Sequence, residues 1–170
     1  MKMNKGVVLF LGSLLTLAVF AADQLAKQWA VLNLKGAGAR NCIEDMFYFF
    51  YAENKGAHLG FGAELPDNVR FALMVVLTGL LLVGVCIWFL KKAEHTTMQL
   101  GMLFFALGGA AGNLYDRITN GYVVDYMVLD LGFVSTGVFN IADVVITIAG
   151  LFFMFTNIKT KEEKPAAEAA

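Results

Sequence analysis

The stretch that decides the fold is Val138 to Ile158, VFNIADVVITIAGLFFMFTNI, which is almost entirely apolar. About 20 helical residues of this kind are enough to cross the hydrocarbon core of a bilayer. Asp143 lies about a turn and a half inside the run, and Asp125 lies just before it. Because an ionisable group at that depth is costly and usually functional, the stretch predicts a membrane helix with a working carboxylate near its start.

The rest of the chain has the composition of a membrane protein. Its 170 residues are 58% hydrophobic and 13% aromatic, and the mean hydropathy is +0.65, which exceeds what a soluble core can hide. Three more stretches approach or reach spanning length: Val7 to Ala22, Val69 to Leu90 and Met98 to Tyr115. We therefore predict an all-α polytopic membrane protein with four transmembrane helices at about residues 7–22, 69–90, 98–115 and 138–158.

Lysines near the ends of these stretches predict the orientation, because short loops rich in Lys and Arg stay in the cytoplasm. The lysines precede the first helix, lie between the second and third, and follow the fourth: Lys2, Lys5, Lys91, Lys92, Lys159, Lys161 and Lys164. All of them fall on one side if both termini are cytoplasmic. Asp125 and Asp143 then lie at the outer face of the membrane.

The domain organisation is simple on this reading. Residues 1–158 form a single integral-membrane domain, and residues 159–170 form a charged, Ala-rich and disordered cytoplasmic tail.

The first stretch also has the layout of a cleavable signal peptide, although its apolar run is long for one. A disulfide between Cys42 and Cys86 is not expected, because the topology places them at different depths. The net charge of −1 gives no reason to expect nucleic-acid binding.

The outer segment, about residues 24–68, has an organisation of its own. Helical character continues from Gln24 to Leu34, where Gly36 and Gly38 break it. The aromatic run Met46 to Tyr51 is prone to form a β-strand and is too short to span a membrane. We therefore predict a small β-containing segment between helices 1 and 2, resting on the membrane surface. Its aromatic residues either anchor it at the interface or help to grip a ligand.

Polar groups accumulate at the outer ends of the third and fourth helices. They are Asn113, Asp116, Arg117, Asp125, Asn140 and Asp143. Spacings of three and four residues put Asn113, Asp116 and Arg117 on one helical face, and a spacing of three does the same for Asn140 and Asp143. The small residues from Gly108 to Gly112 let another helix or a substrate backbone approach.

Three uses of the two aspartates are open at this point. A hydrolase would use one ionised carboxylate to take a proton from water and one protonated carboxyl to donate, a split that two neighbouring carboxyls produce because both cannot ionise together. An ion or proton carrier would use the same buried carboxylates as a relay. In a structural role, each Asp would pair with Arg117 or cap a helix.

Five motifs, in order, resemble those of the lipoprotein signal peptidases, or signal peptidase II. They are Asp23-Gln24-Leu25-Ala26-Lys27, Asn54-Lys55-Gly56-Ala57, Gly108 to Arg117, Val123-Val124-Asp125-Tyr126 and Phe139-Asn140-Ile141-Ala142-Asp143. The resemblance covers nearly the whole chain up to the charged tail. One departure is His58, which follows the second motif where the family usually has Ala. It bears on the geometry of that loop rather than on the aspartates.

The resemblance implies an aspartic endopeptidase of the bacterial inner membrane that needs no metal or organic cofactor. Its substrate would be a diacylglyceryl-modified prolipoprotein, cleaved on the N-terminal side of the lipidated cysteine, and we expect it to act as a monomer among membrane lipids. Carried onto this sequence, the catalytic residues are Asp125 and Asp143. The residues that bind substrate or support the site are Asp23, Lys27, Asn54, Gly56, Gly109, Asn113, Asp116, Arg117, Asn140 and Ala142.

Overall fold

A computed structural model describes residues 4–43, 46–57, 60–91 and 95–168. Five helical segments and four strands follow one another along the chain. They are α1 (Lys5–Leu34), β1 (Arg40–Ile43), β2 (Phe47–Asn54), α2 (Asp67–Phe71), α3 (Thr78–Lys91), α4 (Thr97–Asn120), β3 (Val123–Asp130), β4 (Ser135–Phe139) and α5 (Ile141–Glu168). A π-helical turn, Ala72–Leu77, joins α2 to α3. His58 lies outside the described residues.

The first helix is longer than its apolar run. It begins after Asn4, whose side-chain oxygen accepts a hydrogen bond from the Gly6 N–H at 2.8 Å, and it continues to Leu34. Gly36 and Gly38 follow with φ angles of 79° and 74°, a conformation that favours glycine and ends the helix. The predicted helical continuation to Leu34 is confirmed. It forms an outer extension that carries Asp23 and Lys27 beyond the apolar part.

The helices agree in part with the predicted spans. Among the described residues, Gly6–Leu34 and Asp67–Phe89 are long and apolar enough to cross a membrane, and Ile141–Thr156 is a shorter apolar helix. Helix α4, which corresponds to the third predicted span, begins with a capping box between Thr96 and Gln99 and continues to Asn120. Four membrane crossings and cytoplasmic termini remain predictions.

The last segment differs from its predicted course in two places. Helix α5 begins at Ile141 rather than Val138, because Ser135–Phe139 is a strand. At its other end, the helix continues through residues 159–168, where we predicted a disordered tail. The Val-rich run before α5 also forms a strand, β3, which was not predicted from the sequence.

The β-structure is a four-stranded antiparallel sheet in the order β1-β2-β3-β4. Its first two strands lie in the segment where β-structure was expected, and the other two lie between α4 and α5. One face of the sheet packs on the outer extension of α1, where Ala30, Leu34, Val124 and Tyr126 form a buried cluster. The Trp29 and Phe49 rings also meet edge to face, with centroids 5.3 Å apart. This packing fixes β3, and with it Asp125, relative to α1.

Glycines bring α1, α4 and α5 close together. A Cβ on Gly108 would lie 2.6 Å from the Val19 Cβ, and one on Gly109 would lie 2.9 Å from the Ala142 carbonyl oxygen. Both distances are too short for a side chain. The small residues of α4 therefore serve helix packing. The sequence allowed this use or the close approach of a substrate backbone.

Candidate active site

The two aspartates come from different elements. Asp125 lies near the start of β3, opposite Ala52 of β2, and is 2% exposed. Asp143 lies in the first turn of α5 and is partly exposed. The sheet therefore positions one carboxylate and the start of a helix positions the other.

Asn140, the residue just before α5, binds both aspartates. Its side-chain N–H₂ donates to Asp125 Oδ1 at 2.6 Å and to Asn113 Oδ1 at 3.1 Å. Its backbone N–H donates to Asp143 Oδ2 at 3.1 Å, and its side-chain oxygen accepts from the Asp143 N–H at 3.0 Å. The second pair of bonds is a reciprocal helix cap, and it leaves the amide of Asn140 free to hold Asp125.

A further asparagine binds each carboxylate. Asn54 Nδ2 donates to Asp125 Oδ2 at 3.0 Å, and Asn113 Nδ2 donates to Asp143 Oδ1 at 2.9 Å. All four carboxylate oxygens thus accept a hydrogen bond from a neutral N–H group. Within the described part of the chain, neither carboxylate forms an ion pair.

A second buried cluster lies beside the first and is built on Lys27. Its ammonium group contacts Asp23 Oδ2 at 2.8 Å, Asp116 Oδ2 at 3.1 Å and Asn113 Oδ1 at 2.8 Å. Asp23, Lys27 and Asp116 are each no more than 3% exposed. Since an ammonium has three N–H donors, Lys27 is fully satisfied, and its contact with Asn113 joins this cluster to Asp143.

Gln24 belongs to this cluster, although it was not among the residues selected from the sequence. Its side-chain amide donates to Asp116 Oδ1 at 3.1 Å and to the Gly112 carbonyl at 3.3 Å. Asp23 in turn accepts from the Ala142 N–H at 3.1 Å, which holds the first turn of α5 against α1. The signal for Gln24 was its place between Asp23 and Lys27 at the outer end of an apolar run.

Arg117 reaches the loop that follows β2. Its Nη2 donates to the Gly56 carbonyl at 2.9 Å, and its Nη1 makes a longer contact of 3.4 Å with the Asn113 carbonyl. The buried Nε has no partner among the described residues. Gly56 has no room for a side chain, because a Cβ would lie 2.5 Å from the Phe61 carbonyl oxygen. Gly56 thus shapes the loop that Arg117 holds.

Burial makes Asp125 a weaker acid than an exposed aspartate. Removal of the carboxyl group from water raises its pKa to about 6, and the charge of Asp143 adds to the increase. Hydrogen bonds from Asn54 and Asn140 act in the opposite direction without cancelling it. Asp125 can therefore hold a proton at a pH at which an ordinary aspartate is ionised.

Asp125 opens onto a cavity of about 530 Å³. Its walls come from strands β2 and β4, from the segment before α2 and from α2 itself, with lining residues that include Ala52, Asn54, Gly60, Ala63, Arg70 and Val138. This space can admit a polypeptide to the carboxyl group. In the described part of the chain, no three His, Cys, Asp or Glu side chains converge as metal ligands.

The structure brings the residues selected from the sequence into one connected region. All of them except Gly109 take part in the hydrogen bonds and ion pairs described above, Gly56 and Ala142 through their backbones and the rest through their side chains. Gly109 lies against the turn of α5 that carries Asp143, because its backbone packs on Ala142. Asp116 also accepts from the Val124 N–H at 3.1 Å, next to Asp125.

Comparison with known families gives a match over most of the chain. Residues 15–159 match the family described as signal peptidase (SPase) II. Two relatives are the lipoprotein signal peptidases of Chlorobium luteolum and Dichelobacter nodosus. The first is 36% identical over 155 residues, covering 85% of this chain and 90% of that protein. The second is 33% identical over 146 residues, covering 85% of this chain and 92% of that protein.

A solved structure has the same fold. It is described as a bacterial membrane enzyme determined by the in meso method at 2.3 Å resolution. The TM-score is 0.78 with 22% identical residues, and the match covers 96% of this chain and 94% of that one. At this identity the likeness concerns the fold, including the helices and sheet that carry the two aspartates.

Proposed function

The chain belongs to the signal peptidase II family of membrane proteases, which remove signal peptides from prolipoproteins, and we propose that it does so by aspartic catalysis. Asp125 and Asp143 are the catalytic residues. The observation that carries this proposal is the set of neutral donors around them: two carboxyl groups share Asn140, and no cation pairs with either among the described residues. Such a pair retains a proton for transfer.

The proposed roles of the two aspartates follow from their surroundings. Asp125 holds the proton, because burial raises its pKa to about 6. Asp143 is the base, because its carboxylate accepts an N–H at the positive end of α5. It takes a proton from water as the water oxygen attacks the scissile carbonyl carbon, and Asp125 donates its proton to the carbonyl oxygen.

Collapse of the tetrahedral intermediate completes the reaction. Asp143 passes its new proton to the amine nitrogen of the lipidated cysteine, and the C–N bond breaks. Asp125 recovers a proton from the hydroxyl group that becomes the new carboxyl end of the signal peptide. Both residues return to their starting states, so the cycle consumes only water and peptide.

Arg117 and the other motif positions have supporting roles in this proposal. Arg117 holds the Gly56 loop, which follows the Asn54 that binds Asp125. Lys27 fixes Asn113, which orients Asp143. Asn54, Asn113 and Asn140 keep the two carboxyl groups in place as protons move between them.

The substrate is a prolipoprotein that already carries a diacylglyceryl group on its cysteine. We propose that the acyl chains remain in the outer leaflet of the inner membrane, which brings the bond before the cysteine to the depth of the two aspartates. This requires four membrane crossings, cytoplasmic termini and a site at the periplasmic face. The family match does not favour the alternative of a proton- or ion-coupled carrier.

The test is cleavage by the purified protein in detergent micelles, with no ion gradient and a diacylglyceryl-modified prolipoprotein as substrate. We expect the parent to cleave before the cysteine and Asp125→Asn and Asp143→Asn to be inactive. Asp130→Asn is a matched control, since Asp130 lies at the far end of the same strand and its Oδ1 accepts from the Gly132 N–H. Full activity in either catalytic variant would refute the assignment.

A further inference from the structure

The open face of the sheet carries a second hollow, of about 490 Å³, that the proposed reaction does not use. All four strands contribute to it. The lining side chains that matter here are Asn41, Tyr48, Phe50, Val128 and Ser135. Asn41, Tyr48, Val128 and Val138 are partners in register, so they form one row across the sheet from β1 to β4. The hollow is therefore a feature of the strand pairing.

This hollow continues from the cavity at Asp125. Gly137 and Val138 of β4 line both spaces. Along β2, Tyr48 and Phe50 line the hollow, whereas Ala52 and Asn54 line the cavity at Asp125. The shared lining by Gly137 and Val138 places the two spaces end to end along the sheet, with the β-bulge of β2 between Phe49 and Ala52 lying between them. Together they form a groove that leads away from Asp125.

We propose that this groove binds the first residues of the mature lipoprotein, those that follow the lipidated cysteine, in extended conformation. The proposal rests on the proposed function, because it takes the bond at Asp125 as the one that is cleaved. Four residues separate Ala52 from Tyr48, which corresponds to about 13 Å of extended chain. The hollow thus lies within reach of roughly the third to sixth residues after the cleaved bond.

The chemistry of the hollow fits a polypeptide better than an acyl chain. Asn41, Tyr48 and Ser135 offer an amide, a phenol and a hydroxyl, which can bond to peptide groups above an apolar floor. An acyl chain has no donors or acceptors, so it would cover these groups without satisfying them. The polar side chains therefore favour the peptide as the occupant.

The experiment measures kcat/KM for diacylglyceryl-modified substrates that end one, three or six residues after the cysteine. For the parent, we expect about a tenfold rise between the shortest and the longest substrate, because contacts remote from the reacting bond add to transition-state binding. Asn41→Trp places a large side chain in the hollow and should abolish the rise, with the shortest substrate cleaved as by the parent.

Arg40→Trp is the matched control. Arg40 is the neighbour of Asn41 on β1, and it pairs with Phe49, whose ring packs on the opposite face against Trp29. This variant should keep the full rise with substrate length. Ser135→Trp fills the hollow from β4 and should act like Asn41→Trp, which keeps the test valid if a substitution in β1 prevents folding.

Three outcomes would overturn the proposal. If kcat/KM is independent of length while all substrates are cleaved, the groove does not bind the mature segment and the proposed function stands. The hollow holds lipid if Asn41→Trp slows the substrates of all three peptide lengths equally and the loss grows with the length of their acyl chains. If the parent cleaves no substrate, the proposed function fails and this proposal fails with it.

Discussion

Two clusters of buried or partly buried carboxylates lie next to each other in this protein and differ in what holds them. In the Lys27 cluster, an ammonium group contacts both Asp23 and Asp116. In the other cluster, Asp125 and Asp143 are held by the amides of three asparagines and a backbone N–H. Both pairs are tightly bonded, but only the first is compensated in charge by a group that it contacts.

Under the proposed mechanism, this difference separates a structural pair of carboxylates from a catalytic one. In the Lys27 cluster, one ammonium group forms ion pairs with two buried carboxylates and so ties α1 to α4. A carboxyl held by neutral donors keeps its orientation without losing its ability to take up a proton. The pKa of Asp125 is raised to about 6, because removal of its carboxyl group from water outweighs the hydrogen bonds from Asn54 and Asn140.

The largest expected effect removes the reactive pair. Asp125→Asn and Asp143→Asn should each lower kcat by about 10⁴-fold, since neither amide can carry the transferred proton. The thermal unfolding temperature should change little, because both side chains keep their size and most of their contacts. Activity assays and unfolding in detergent together check this. A large loss of stability would mean that the pair is structural.

The next effect comes from removing the cation of the other cluster. Lys27→Met leaves two buried carboxylates without a cation and should cost about 3–5 kcal/mol of unfolding free energy. Addition of Asp23→Asn and Asp116→Asn should recover most of that loss, because no unpaired charge remains. Thermal unfolding of the single and triple variants measures both effects. An unfolding temperature equal to that of the parent in Lys27→Met would contradict the charge argument.

A smaller effect is expected from crowding the Lys27 cluster without changing a charge. In Gly112→Ala, the new Cβ would lie 2.3 Å from Asp23 Oδ2. Asp23 is fixed by Lys27 and the Ala142 N–H, so the strain should cost about 1–3 kcal/mol. Gly101→Ala on the same helix is the control, since a Cβ at that position would meet no neighbouring atom within 4 Å. Equal unfolding temperatures for the two variants would show that the cluster can yield.

The smallest effect concerns pH. A folded-state pKa of about 6 for Asp125, above the unfolded value of about 3.9, means that the folded state binds the proton more tightly. The contribution of this group to stability is therefore full below about pH 4 and is lost as the pH rises through about 6. The unfolding temperature of the parent minus that of Asp125→Asn should fall across that window.

The ionisation of Asp125 should also determine how activity depends on pH. The kcat/KM of the parent should fall above about pH 6, because kcat/KM reports ionisation in the free enzyme. The value of kcat should begin to fall at a higher pH than kcat/KM does, since bound substrate excludes water and raises the pKa of Asp125 further. A kcat/KM that is constant from about pH 5 to pH 8 would contradict a proton held on Asp125.

The sequence was a good guide to the helices and a poor one to the sheet. Apolar runs located α1, α4 and α5 because lipid imposes a simple requirement on composition. Strand β3 was missed because Val123 to Leu129, apart from Asp125, is apolar on both faces and shows no alternation. Strand β4 was missed because its end was assigned to the apolar run that begins at Val138. Spacing predicted the shared helical face of Asn113 and Arg117 in α4, where the Arg117 side chain contacts the Asn113 carbonyl.

The long-range contacts of the site could not be read from spacing. The Asp23 carboxylate and the Ala142 N–H are 119 residues apart in the chain, and Asn54 and Asp125 are 71 apart. Motif resemblance identified these residues without saying what they touch. Their meeting depends on how the sheet packs on α1 and how Gly109 admits α5, which are properties of the assembled fold.

The amides that hold the two aspartates also set the chemical lifetime of the site. Hydrolytic deamidation of Asn113 or Asn140 would replace a donor with a third carboxylate, which would repel the other two. Deamidation proceeds fastest where glycine follows asparagine, yet Asn54, Asn113 and Asn140 precede Lys55, Leu114 and Ile141, and the Asn-Gly pair of this region is Asn120-Gly121 at the end of α4. Mass spectrometry of aged protein should therefore find the modification at Asn120 while cleavage activity persists.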